Sequence, residues 1–430
     1  MNYRAVMYVL GKIFMVIGTV ILLPISVSVY YSERLTLSFL IPSALLLFIG
    51  LMLILFKPKR RNIYTKEGLV ICGLSWIIMS VCGARPFVIS GTIPNFIDAF
   101  FETCSGFSTT GATILTEIQS LPKSILFWRS FTHWIGGMGI LSFMIAVIPK
   151  SESHSMFIMK AEVPGPKAGK IASKIQESAR ILYIIYCVIT LIEIFILSAF
   201  TDMRFFDAVT TSFSTAGTGG FSVMNNSILG YNSVAAEWII IVFMFLFGVN
   251  FNLYFFILIR KFASAFKSEE LWTYVAINVS AIVLITLNIS SSYERITDAI
   301  RDAAFNVNSI MSTTGFCTAD FDKWGTFSKV ILIALMFVGA CVSSTGGGMK
   351  VTRIILYFKE MHADLKIALR PNTITKIRMN GNVVEKKVIQ DTNSYLVVYL
   401  GILFGSVFLI SLNGFDLVTT VTSVITCLNN

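Results

Sequence analysis

Apolar residues in this chain gather in long, nearly unbroken stretches, without the alternation of a strand or the 3.6-residue stripe of a half-buried helix. A helix needs roughly 20 such residues to cross the hydrocarbon of a bilayer. Nine stretches approach that length: 13–30, 37–56, 67–86, 125–148, 179–200, 235–259, 271–289, 328–357 and 393–412. The first has no small-residue cleavage site after it and a second follows at once, so it reads as a retained helix rather than a signal peptide. The stretch at 328–357 is too rich in glycine at its middle to form one smooth helix.

Composition strengthens this picture. Of 430 residues, 55% are hydrophobic and 13% charged, with a mean hydropathy of +0.75; a soluble domain carries about 25% charged residues. The reading is an all-α polytopic membrane protein in contact with membrane lipid, which excludes a soluble enzyme and a disordered chain. The formal charge is +10, yet no basic run is long enough to track a phosphate backbone, so no nucleic-acid partner is expected. The segments 57–66, 149–177, 260–267 and 350–387 hold 5, 5, 3 and 9 Lys and Arg, 22 of the 34 in the chain. Positive charge collects on the cytoplasmic side. The nine crossings then alternate without conflict, with the N-terminus in the cytoplasm and the protein in the cytoplasmic membrane. The seven cysteines and three histidines are dispersed, which argues against disulfides and a metal cluster. No nucleophile, acid–base pair or metal site converges, so the chain does not read as an enzyme and needs no organic cofactor.

Between crossings lie four apolar stretches too short to span: Asn95–Thr113, Met203–Ser222, Thr297–Thr318 and Phe415–Asn430. All fall on the outer side. Three of them align. Asp98, Asp207 and Asp302 are each followed 13 residues later by a glycine (Gly111, Gly220 and Gly315), with Ser and Thr crowding the approach. The repeat, at about 100 residues, reads helix, re-entrant segment, helix; repeats of this kind build pathways at their mutual interface. Irregular backbone at membrane depth must be buried in protein or line water. A short helix that enters partway and returns as an extended strand presents a row of carbonyls, and such rows around one axis replace the hydration shell of a cation. The pore helix points its partly negative C-terminus toward that cation.

With these motifs the chain resembles the Trk/Ktr/HKT superfamily of potassium transporters, and within it the bacterial TrkH-type membrane subunits. The matching stretches are FSTTGAT (107–113), HWIGGMGIL (133–141), the residues around 213–222, STTGFCTADF (312–321) and GACVSSTGGGMKVTR (339–353). The resemblance implies repeats of helix, re-entrant pore helix and helix around a central pore, preceded by two extra transmembrane helices. It implies potassium as the transported ion, a homodimer, and a cytoplasmic TrkA-like nucleotide-binding regulatory subunit. Carried over by position, Gly111, Gly220 and Gly315 are the filter glycines. Thr109, Thr110, Thr218, Gly219, Thr313 and Thr314 precede them as carbonyl donors, so potassium's ligands lie among these nine residues. Family members with serine at the first glycine position tend to favour sodium, so Gly111 leans toward potassium. In the family the last stretch runs on into a fourth filter glycine and a final helix with a pore-facing arginine. The sequence reaches Asn430 before either, and is expected to belong to a longer chain.

The domains expected are two leading helices at 1–62, pore repeats at 63–150, 151–265 and 266–360, and an incomplete fourth repeat at 361–430. The third contains the gate candidate. Three successive glycines cost a helix about 1 kcal/mol each relative to alanine, so a break is expected near Ser343–Gly348. It includes Ser343, Ser344, Thr345, Gly346, Gly347 and Gly348, with Lys350 at its edge. In the resembling proteins this stretch is an intramembrane loop that obstructs permeation; close helix packing through small residues is the bland alternative. Lys350 reads equally as a gate element or as the first residue of the basic connection. That connection, Lys350–Lys387, reads as a docking site for the regulator or as a headgroup contact.

Other polar residues carry two readings each. Asp98, Asp207, Asp302 and Asp416 are read as beginning the four short helices, by N-terminal stabilisation or as a cation vestibule. Arg129 and His133 are read as anchors of their helix. Glu193 reads as an interhelical partner or a functional carboxylate. Asn250 and Asn252 line a cavity or bond between helices. The rival for the whole chain is a secondary cation transporter coupled to sodium or protons, in which broken helices also occur.

Overall fold

The computed structural model describes residues 2–56, 65–139, 175–373 and 375–430. Among them the chain is almost wholly helical: α1 Tyr3–Val20, α2 Leu23–Tyr30, α3 Thr36–Leu55, α4 Thr65–Gly83, α5 Arg85–Ile89, α6 Phe96–Phe107 and α7 Lys123–Gly137, then α8 Ile175–Phe200, α9 Phe205–Gly217, α10 Val234–Gly248, α11 Phe251–Leu258 and α12 Glu269–Ile289. After these come α13 Ile296–Met311, α14 Thr326–Val338, α15 Val351–Leu369, α16 Lys386–Ser411 and α17 Leu417–Asn429, and a single helical turn at Phe262–Phe266 precedes α12. A two-stranded hairpin, β1 Arg378–Met379 with β2 Asn382–Val383, pairs Arg378 with Val383 and Met379 with Asn382.

Among the described residues six helical segments are long and apolar enough to cross a membrane: Tyr3–Tyr30, Thr36–Leu55, Lys66–Ile89, Ala179–Phe200, Glu269–Ser292 and Lys386–Ser411. The protein is a multi-pass membrane protein. Each of the nine expected stretches carries helix in its described part, with three differences. The stretch 125–148 is helical to Gly137, and residues 140–148 lie outside the described residues. The stretch 235–259 bends by 90° between α10 and α11. There Asn250 caps α11, its Oδ1 accepting the Asn252 amide at 3.0 Å. The stretch 328–357 is broken as expected, but from Gly339 to Lys350, starting four residues before the expected Ser343.

The four short stretches fold as α6, α9, α13 and α17. Asp98 and Asp207 lie in the first turns of α6 and α9, and Asp416 caps α17 by accepting the Thr419 amide at 3.1 Å. That bond to Thr419 also holds the exposed Asp416 carboxyl below its usual range. Asp302 departs from expectation. The third helix starts at Ile296, so Asp298 occupies the first turn and Asp302 sits a turn deeper. There it accepts the Tyr293 hydroxyl at 2.8 Å. Burial and that carboxylate push the Tyr293 phenol up to about 12, which keeps it a donor.

The chain forms two compact units. One contains, of the described residues, 2–56, 65–139, 175–239 and 314–316. In it α1 crosses α3 through Gly11, Gly18 and Gly50, where an added Cβ at Gly11 would meet Leu53 Cβ at 2.8 Å. Small residues let apolar helices approach closely where no hydrophobic force separates protein from lipid. The other contains, of the described residues, 240–313, 317–373 and 375–430, with a core around Tyr274, Ala303, Val307 and Cys341.

Candidate functional site

The three aligned stretches end their helices in the same way. Thr109, Thr218 and Thr313 have φ of 61°, 54° and 62°, and two residues later Gly111, Gly220 and Gly315 have φ of 74°, 79° and 81°. Left-handed backbone costs an L-residue about 1–2 kcal/mol, and for a β-branched one it is a genuine outlier. Three recurrences at one register mark a built feature. Thr109 and Thr218 stand where a helix normally ends on glycine. The amide after each reaches back to the helix, Thr110 N to Ser105 O and Gly219 N to Ser214 O, both at 2.9 Å, which is the Schellman closure. The chain therefore turns sharply out of the helical conformation at each of these threonines.

The strands also meet. A Cβ on Gly111 would collide with the Gly219 carbonyl oxygen, and one on Gly220 with the Thr314 carbonyl oxygen. The first strand thus abuts the second and the second abuts the third. Glycine is required at 111 and 220 twice over, by the sign of φ and by this contact.

The HWIGG segment explains how α7 presses against these helix ends. A Cβ on Gly137 would lie 2.6 Å from Gly217 Cα, and one on Gly136 would lie 2.9 Å from Thr109 Cγ2. His133 stacks on Phe221 at 4.0 Å and its Nδ1 accepts the Phe221 amide at 3.4 Å. A buried ion pair that sequence reasoning missed lies behind both strands. Glu102 accepts the Thr113 hydroxyl at 2.9 Å, the Ile114 amide at 3.1 Å and Arg129 Nε at 2.5 Å. Arg129 in turn donates to Ser222 O at 3.0 Å and lies 3.6 Å from the Phe221 ring centroid. Arg129 and His133 are thus more than anchors of their own helix.

In the second unit the break at Gly339–Lys350 is a packed loop. Cys341 N donates to Gly248 O at 3.0 Å and Phe251 N to Ser343 O at 3.0 Å, so the loop fills the bend between α10 and α11. Gly347 N donates to the Thr313 hydroxyl at 2.8 Å. The left-handed threonine that ends α13 therefore touches the loop. Gly348 N donates to Asn429 O at 2.6 Å, at the end of α17. Lys350 is buried, and its ammonium donates to Gly346 O inside the loop. Glu193 is fully buried on α8. Asn250 caps α11 and also donates to Glu270 at 3.1 Å.

The TrkH family, described as cation transport protein, matches residues 38–430 of this chain. The chain belongs to the TrkH family. It is 33% identical to the Trk system potassium uptake protein TrkH of Salmonella typhimurium, over all of this chain and 90% of that protein. It is 28% identical to the Trk system potassium uptake protein TrkG of Escherichia coli, over all of this chain and 89% of that one. The crystal structure of the potassium transporter TrkH from Vibrio parahaemolyticus superposes with a TM-score of 0.86 at 30% identity, covering 99% of this chain and 89% of that one. Membership of the TrkH family makes the chain a transport protein and not an enzyme. It also makes the repeated strand geometry, rather than any titratable cluster, the part of the fold to read for function. Among the described residues no group of His, Cys, Asp or Glu could hold a metal ion.

Proposed function

We propose that the chain takes up potassium across the cytoplasmic membrane as the pore-forming subunit of a Trk-type system. One observation carries this reading: the left-handed threonine and left-handed glycine recur two residues apart in three stretches, each glycine 13 residues after an aspartate. The carbonyls of Thr109, Thr110, Gly111, Thr218, Gly219, Gly220, Thr313, Thr314 and Gly315 replace water around the ion. Side chains are excluded because a Cβ at Gly111 or Gly220 would strike the neighbouring carbonyl. The ion is cargo; no resident cofactor is needed.

The loop from Ser343 to Gly348 is the gate, with Lys350 supplying a tethered positive charge that ties the loop to itself through Gly346 O. Deleting residues 343–348 raises potassium flux, and an unchanged flux in a folded deletion removes the gate. The chain is organised as two leading helices and successive pore repeats with boundaries near 62, 150, 265 and 360. Its N-terminus is cytoplasmic, by the bias of basic residues. It works as a homodimer with a cytoplasmic TrkA-like regulator, to which the basic connection 350–387 contributes.

The test is growth of a potassium-uptake-deficient cell at limiting potassium. The protein restores growth, and Gly315→Ser, which adds a side chain where φ is 81°, lowers discrimination against sodium. Correct membrane insertion without any potassium or rubidium uptake, with the regulatory partner supplied, would overturn the proposal.

A further inference from the structure

The first turn of α12 carries two adjacent glutamates that bond to different parts of the second unit. Glu270 is buried. Its Oε1 accepts the Val342 amide at 2.7 Å and also the Thr352 hydroxyl, and its Oε2 accepts Asn250 Nδ2 at 3.1 Å. Val342 lies near the start of the broken segment, Thr352 just past its end, and Asn250 is the cap at the α10–α11 bend against which the loop lies. A single carboxylate thus holds both flanks of the loop and the wall behind it.

Glu269 faces the hairpin. Its amide, one of those a helix N-terminus leaves unpaired, donates to Asn380 Oδ1 at 2.8 Å. Its Oε1 accepts the Asn380 amide at 3.0 Å. Its Oε2 pairs with Lys359, which also donates to Arg378 O at 2.7 Å. Asn380 and Gly381 are the turn of the β1–β2 hairpin, with φ of 51° and 79°, the handedness a two-residue hairpin turn demands. Thr352 and Lys359 are seven residues apart on α15, hence on one face. That face meets Glu270 and then Glu269.

We infer that Glu269 and Glu270 are positioning residues that couple the hairpin at 378–383 to the loop at 339–350, so that displacement of the hairpin loosens the loop. The inference rests on reading that loop as the gate. The linkage is mechanical. A force that lifts the hairpin pulls on the amide and carboxylate of Glu269, and the neighbouring residue in the same helical turn is the one that fixes Val342 and Thr352. Nothing in the coupling needs a change in the strands at Gly111 and Gly220, which are braced by the separate Glu102–Arg129 pair.

The experiment measures amide hydrogen exchange of the purified protein in lipid nanodiscs, alongside rubidium flux into proteoliposomes. Glu270→Gln raises exchange across 339–352 by about tenfold, the scale of one lost charge-assisted bond, and leaves 105–116 unchanged. Thr352→Val, which keeps the side chain's shape and removes only its hydroxyl, moves the same peptide in the same direction by less. Asn380→Gly keeps the left-handed turn but removes the side chain; it raises exchange in both the hairpin and the loop. Flux rises in the same order. Unchanged loop exchange in both Glu270→Gln and Thr352→Val overturns the anchor. Faster exchange confined to the hairpin in Asn380→Gly overturns the coupling. The deletion of 343–348 separates the two readings. Raised flux in the deletion with unchanged loop exchange in Glu270→Gln leaves the gate standing without its anchor. A loosened loop in Glu270→Gln with unchanged flux in the deletion keeps the anchor and removes the gate.

Discussion

Two buried glutamates each hold an irregular stretch of backbone, and they do it differently. Glu102 receives a hydroxyl and an amide from the strand after Gly111, and its charge is met by the guanidinium of Arg129. Arg129 continues to Ser222 O and the Phe221 ring beyond Gly220, so two strands share one ion pair. Glu270 receives an amide, a hydroxyl and a carboxamide, and among the described residues no cation pairs with it at salt-bridge distance, although the buried Lys350 lies within reach of its charge. Releasing a donor from Glu102 leaves a buried pair strained on both sides, whereas Glu270 can give up its neutral donors one at a time. Rigid bracing suits the strands in their proposed role of holding carbonyls at a fixed spacing around an ion. Divisible bracing suits the loop in its proposed role as a gate.

The sharpest way to break this comparison is Arg129→Met, which leaves the Glu102 charge buried and unpaired. Losing one partner of a buried pair costs about 3–5 kcal/mol, read as a large fall in the unfolding midpoint with loss of rubidium uptake. Adding Glu102→Met to Arg129→Met recovers most of that stability but not the uptake, since the strands still lack their brace. Next in size is Glu270→Gln, expected to cost about 1.5–3 kcal/mol in the same unfolding assay while raising flux. If Arg129→Met and Glu270→Gln both abolish uptake, the division into rigid and releasable regions is wrong. Smallest is Thr109→Gly, which removes left-handed strain but adds backbone freedom. Its stability stays within about 1 kcal/mol of the parent, and a loss beyond that would mean the threonine side chain rather than the turn holds the helix end.

Much of this architecture is written in the sequence, because membrane crossings and re-entrant repeats leave local signatures. Runs of apolar residues mark the helices, and a glycine 13 residues after an aspartate marks the three strands. The left-handed threonines are not legible, since nothing in Thr109, Thr218 or Thr313 announces positive φ; only their common distance from the glycine hints at it. Asp302 misleads because equal spacing to the glycine says nothing about where the helix starts, and Asp298 takes the first turn instead. Glu102 and Arg129 are 27 residues apart, and Glu270 bonds Val342 at a separation of 72. Such partners are set by packing, so no local pattern carries them. The hairpin at 378–383 did have a signal, the Asn380-Gly381 dipeptide between short apolar stretches, hidden within a connection that reads first by its charge.

The central claim is that bare carbonyls at the three strands take the place of water around potassium. Gly220→Ala tests it most directly, because the added methyl faces the Thr314 carbonyl and the residue sits at φ of 79°. Paired potassium and sodium uptake by the folded variant should show potassium transport falling and the discrimination between the two ions collapsing. Potassium uptake and discrimination both equal to the parent's would contradict the account.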